Sequence, residues 1–65
     1  MSDSASTLLT YLTNEYRKTE KNTFRTSSLA HIPELDSAIQ ELGSEAIIRK
    51  SIAGLHFTKE YLETL

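Results

Sequence analysis

The chain has 65 residues, 38% of them hydrophobic and 25% charged, with a formal net charge of −2 and no cysteine. That length allows one small domain, and the absence of thiols excludes disulfides and thiolate metal sites. No apolar stretch approaches a membrane span, and Met1-Ser2-Asp3-Ser4 lacks the basic and apolar regions of a secretory leader.

Residues 1–65 are therefore expected to form a single small helical domain, with 1–4 frayed because polar termini bury little. A first helix is predicted over 3–21, with Asp3 or Ser4 as N-cap. Its residues Ala5, Leu8, Leu9, Leu12 and Tyr16 recur at steps of three and four and share a face. Asn22 to Ser28 reads as a polar, β-branched loop whose one large apolar anchor is Phe24. A short helical turn near 28–32 would bury Leu29 and Ile32.

Pro33 biases Ile32 away from helix and suits the first position of a second helix, predicted over 33–42 and closed by Gly43. A third helix is predicted over 44–53, with Ser44 as N-cap, Ile47, Ile48 and Ile52 as its apolar face and Gly54 weakening its end. A fourth is predicted over 58–65. There Thr58 is the N-cap, and Phe57 is placed to pack on Leu62 as a hydrophobic staple. The fold class implied is all-α, a small bundle of about four helices. Its core would draw on Leu8, Leu12, Tyr16, Leu29, Ile32, Leu35, Ile39, Leu42, Ile48, Ile52, Leu55, Phe57 and Leu62.

Catalytic groupings are sparse. Nucleophilic catalysis needs a nucleophile, a base and an orienting group together, and His31 and His56 are the only histidines. Both read as boundary or surface residues. Gly43 and Gly54 stand alone, so no phosphate loop is present, and the histidine and carboxylate spacing does not make a metal site. No enzyme, cofactor, metal or small-molecule substrate is expected.

The distribution of charge is more telling than its sum. Arg17, Lys18, Lys21 and Arg25 cluster around the single acid Glu20, and Phe24 stands among them for stacking on a base. Glu34, Asp36, Glu41 and Glu45 form a stretch with no cation. A helix-turn-helix DNA reader would need a small residue four positions before the turn glycine and an apolar one six positions after it. Aligned on Gly43 those positions hold Ile39 and Arg49, and the reading helix would offer DNA only Arg49 and Lys50.

Small size and spare apolar residues point instead to a protein partner or a homodimer. Leu9 and Tyr11 would widen the stripe of the first helix, and Tyr61 and Leu65 add to the apolar surface. The expectation from sequence is a non-enzymatic protein-interaction or regulatory module using its first helix. A small DNA-binding regulator is the alternative. An intracellular, cytoplasmic or nuclear setting without a membrane partner agrees with the lack of cysteine.

Overall fold

The computed structural model describes all residues, Met1–Leu65. Helix α1 spans Asp3–Thr19, a single 3₁₀ turn spans Thr26–Leu29, and helix α2 spans Leu35–Ser44. Strands β1 (Ile48–Ser51) and β2 (Gly54–Phe57) follow as an antiparallel hairpin, and helix α3 (Lys59–Leu62) closes the chain. The fold is therefore an α+β mix and not an all-α bundle of four helices.

Helix α1 starts at Asp3 as expected and ends two residues short of the expected 21, and its cap precedes the two residues expected for that role. Ser2 is the N-cap, its Oγ accepting the Ala5 N–H at 3.2 Å, and Ser4 is buried. Ala5, Leu8 and Leu12 are fully buried along one face. The helix ends where Glu20 turns left-handed (φ 59°) and its N–H bonds the Tyr16 carbonyl at 2.7 Å. Helix α2 buries Ala38 and Leu42 against α1, with Leu35 and Ile39 half-buried beside them. Pro33 lies in the preceding turn and not in the helix, which begins after Glu34 at φ 52°. Residues 33–42 and 44–53 therefore do not form a helix pair, since α2 is the one helix among them and β1 follows it.

The predicted third helix is the main correction, because residues 48–57 form the hairpin. Its apolar run is short enough to suit either structure, and β-branched Ile47, Ile48 and Ile52 tip it toward the pleated form. In the observed register Ile48 pairs with Phe57, Arg49 with His56, Lys50 with Leu55 and Ser51 with Gly54. Ile48, Leu55 and Phe57 face the core. Ile52, assigned to the core by helical spacing, is at the turn and 110% exposed relative to the reference state.

The two glycines exchange their expected roles. Gly43 does not stop α2, which runs on to Ser44, and the left-handed residue that turns the chain toward β1 is Ala46 at φ 59°. Gly54 is a turn residue at φ 127°. A Cβ there would lie 2.3 Å from the Phe24 carbonyl oxygen.

That close approach exists because Phe24 adds to the free edge of β2. Its N–H and carbonyl bond Leu55 at 2.9 and 2.8 Å, making a one-residue third strand. Phe24 is 7% exposed and its ring meets Phe57 edge-on at 5.5 Å. Phe57 also meets Tyr16 at 5.9 Å and Tyr61 at 5.2 Å, so one ring joins α1, the Phe24 strand and α3. Thr58 is the N-cap of α3 as expected. Its Oγ1 accepts the Tyr61 N–H at 3.2 Å and donates to the Ala46 carbonyl at 2.6 Å.

The glycines make opposite predictions. At Gly43 a Cβ would meet only the Ile48 carbonyl oxygen at 3.9 Å, an ordinary contact. Gly43→Ala should therefore raise stability by about 0.5–1 kcal/mol by lowering the backbone entropy lost on folding. Gly54→Ala adds dihedral strain to a backbone clash, each roughly 1–3 kcal/mol, for a loss of about 3 kcal/mol or more. A domain of this length has about 3–10 kcal/mol in total, so this variant should lose at least about a third of its stability. Urea midpoints at constant m-value check both.

A second prediction concerns pH. The Ser2 N–H donates to Glu41 Oε2 at 2.9 Å, fastening the start of α1 to α2. That bond, followed by the Ser2 side chain, holds the Glu41 carboxyl below its ordinary value. The N-terminal charge adds to the effect and burial opposes it. A lowered folded pKa gives stability that is complete above the ordinary carboxylate range and is lost as pH falls through the folded value. Melting temperature should fall between about pH 5 and about pH 3, and Glu41→Gln should flatten that dependence.

Candidate functional site

Sheet register decides which side chains share a surface. Ile48, Leu55, Phe57 and Phe24 point into the core, so the alternate positions point outward. Arg49 and His56 are cross-strand partners there, as are Ser51 and Gly54. The Phe24–Leu55 pairing sets Thr23 beside His56 and Arg25 beside Gly54. Thr23, Arg25, Arg49 and Ser51 are exposed and His56 is half-buried. Lys50 has the parity of the core residues but is also exposed. A shallow groove beside the hairpin turn is lined by Thr23, Arg25, Thr26, Ser27, Ile52, Ala53 and Gly54.

Charge follows the same division. Residues 21–33 and 46–58, which supply the sheet and the 3₁₀ turn, hold Lys21, Arg25, Arg49 and Lys50 and no acid. Residues 34–45, which supply α2, hold Glu34, Asp36, Glu41 and Glu45 and no cation. The sheet therefore carries a cationic, hydroxyl-rich outer surface, while the exposed side of α2 is acidic.

A hydrogen-bonded chain braces this surface. His56 Nε2 lies 2.6 Å from Ser51 Oγ, and Nδ1 lies 2.9 Å from the Asn22 carbonyl oxygen. With a carbonyl as its partner, Nδ1 carries a proton, and the Ser51 hydroxyl lies between His56 Nε2 and the Gly54 carbonyl at 3.4 Å. The order serine, histidine, carbonyl resembles that of a nucleophile with its base. Its visible consequence is mechanical, since it ties the end of β1 through β2 to the Asn22 segment. Asn22 adds a second tie: its Oδ1 accepts the Phe57 N–H at 2.7 Å and its Nδ2 donates to the Phe57 carbonyl at 3.1 Å.

The residues singled out from the sequence are dispersed. Leu9, Tyr11 and Tyr61 are half-buried and packed on the core, so the wide stripe of α1 is largely used inside the domain. Leu65 is 43% exposed. The Tyr11 phenol donates to Glu15 Oε1 at 3.3 Å and its ring meets His31 edge-on at 4.8 Å. Burial, then the Glu15 charge and hydrogen bond, push the Tyr11 phenol up from its ordinary value. Arg17 and Lys18 are exposed in the last turn of α1 and Lys21 just beyond it. Phe24 is in the core and not available for stacking. Arg25 and Arg49 lie on the outer side of the sheet in separate strands, and Lys50 has the opposite parity, so none of the three is on a helix. His31, Glu34, His56 and Glu60 do not assemble into a ligand set, and no three metal-ligating side chains meet elsewhere.

Sequence reasoning missed Asn22, Ser51, Ile52 and His56. The alternation Leu55-His56-Phe57 behind a glycine was the available signal for a strand. No protein-family model matches the chain, and no curated protein or solved structure is significantly similar to it.

Asn22→Ala tests the brace. It leaves the buried Phe57 N–H and its carbonyl without partners and should cost about 2 kcal/mol, whereas Ser51→Ala, at an exposed bond, should cost about 1 kcal/mol or less. Chemical denaturation of the two variants, with the hairpin amides followed by hydrogen exchange, checks the ranking.

Proposed function

We propose that this protein is a non-enzymatic nucleic-acid-binding module that meets the phosphate backbone with the outer surface of its sheet. The observation that carries the reading is the separation of charge: Lys21, Arg25, Arg49 and Lys50 lie in sheet-forming segments that contain no acid. Each cation that neutralises a phosphate releases a counterion, so cations on segments without carboxylates favour backbone binding, although Glu15 of α1 lines a groove with Lys21 and Arg25. Thr23, Thr26, Ser27 and Ser51 add hydroxyl donors suited to phosphate oxygens. A helix-turn-helix mode has no reading helix here, because the segment after Gly43 that carries Arg49 and Lys50 forms the hairpin. The hairpin is the better-suited element, because its segment holds Arg49 and Lys50 and no acid.

Docking of a protein partner through α1 has less support, because Leu9 and Tyr11 are engaged with the core.

Titration of a labelled duplex at several salt concentrations tests the proposal. Three or four phosphate contacts should give a slope of log affinity against log salt of about −3 to −4, reduced by about one for each of Arg25→Gln, Arg49→Gln and Lys50→Gln. Asp36→Asn should leave the slope unchanged if the sheet is the contact surface. No binding at low salt, or a slope insensitive to all three cations, would overturn the reading.

A further inference from the structure

We infer that Ile52 is an apolar wedge that enters a duplex at the minor groove and partly unstacks one base step. The inference rests on the nucleic-acid reading and goes beyond it by assigning the hairpin tip a role distinct from phosphate contact. Among the large apolar residues, Met1 and Leu65 are exposed near the chain ends, whereas Ile52 is internal and the most exposed, at 110%. It makes no contribution to the core.

The turn does not require isoleucine. Neither Ile52 nor Ala53 has positive φ, because the left-handed dihedral of the loop is supplied by Gly54 at 127°. A polar turn residue would suit the backbone as well and the solvent better. The side chain is also held on a firm base. Ser51 Oγ is 2.6 Å from His56 Nε2, His56 Nδ1 is 2.9 Å from the Asn22 carbonyl, and Leu55 is bonded in both directions to Phe24. A prepositioned tip loses little entropy on insertion.

Charge complementarity selects the occupant. Arg25 lines the groove beside the tip together with Ile52, and Arg49 and Lys50 lie further back on β1, with no carboxylate in either sheet-forming segment. Cations around a single protruding aliphatic side chain match a polyanion with an apolar interior, which describes stacked base pairs behind their phosphates. Minor-groove proteins use isoleucine among other apolar side chains in this way, bending the duplex toward the major groove. Pyrimidine–purine steps unstack most readily, so a TA step is the favoured target.

The test uses the full chain and a duplex carrying 2-aminopurine at a central TA step, with dyes at both ends to report bending. The wild-type protein should raise the 2-aminopurine fluorescence and shorten the end-to-end distance. Ile52→Ala should abolish both signals and weaken binding by about tenfold while keeping the salt slope, and Ile52→Leu should restore them. Because Ile52 has no packing role, the alanine variant should melt like the wild type.

Wild-type binding without either signal, or signals that persist in Ile52→Ala, would overturn the wedge and leave the phosphate-binding reading intact. The same holds if Ile52→Ala binds the duplex as tightly as the wild type. Failure of the wild type to bind any duplex at low salt would instead overturn the nucleic-acid reading, and the wedge with it.

Discussion

The attachment of Asn22–Phe24 to the edge of β2 is the interaction on which the rest of the structure depends. A lone two-stranded hairpin is marginal in water. Here the second strand gains two backbone bonds to Phe24 and two side-chain bonds to Asn22, while the Phe24 ring packs against Phe57. Gly54 permits that approach, because any Cβ would collide with the Phe24 carbonyl. Once the segment is in place, the sheet has one dry side, filled by Phe24, Ile48, Leu55 and Phe57, and one wet side. The sidedness that collects Arg25, Arg49 and His56 on one surface follows from the same attachment.

Net charge conceals this arrangement. A total of −2 suggests indifference to polyanions, yet the seven cations and nine acids are sorted along the chain. The molecule measures 26 × 22 × 22 Å, and at physiological ionic strength the field of an exposed charge decays over about 8 Å. Charges on different faces are therefore largely independent. A partner approaching the sheet meets the local cations more strongly than the acids of α2. Those acids have a different consequence, since they make the exposed side of α2 unfavourable to a polyanion.

How much of this could be read from sequence depended on whether the signal was local. Helix α1, the Thr58 cap and the anchoring of Phe24 rest on nearby residues, and each is visible as periodicity, a capping hydroxyl or a lone large apolar side chain in a polar loop. The hairpin failed because Ile48 and Ile52 are spaced four apart, which suits one face of a helix, whereas in the folded chain one is core and the other turn. Gly54 marks a break in either interpretation, and only its contact with Phe24, 30 residues earlier, tells turn from helix end. The site was legible as residue types and not as a surface. Arg25, Arg49 and Lys50 could be named, but their grouping needs strand register, and nothing near Asn22 in sequence reveals that its amide mimics a strand.

Local departures from ordinary conformation give a further way to separate structural residues from functional ones. Glu20, Glu34 and Ala46 all adopt positive φ, which costs a non-glycine residue roughly 1–3 kcal/mol. Each departure has an offsetting return in the fold. Glu20 bonds the Tyr16 carbonyl as α1 ends, the Glu34 carbonyl accepts the Ala38 N–H as α2 begins, and the Ala46 carbonyl accepts the buried Thr58 hydroxyl. Ile52 departs from the rules in composition, placing an aliphatic side chain in water at a turn whose handedness Gly54 already supplies. No contact in the domain offsets it. A residue that violates local preference without a return inside the molecule is best explained by a return outside it. In this chain that residue stands at a turn braced by Ser51, His56 and Asn22, in a groove shared with Arg25.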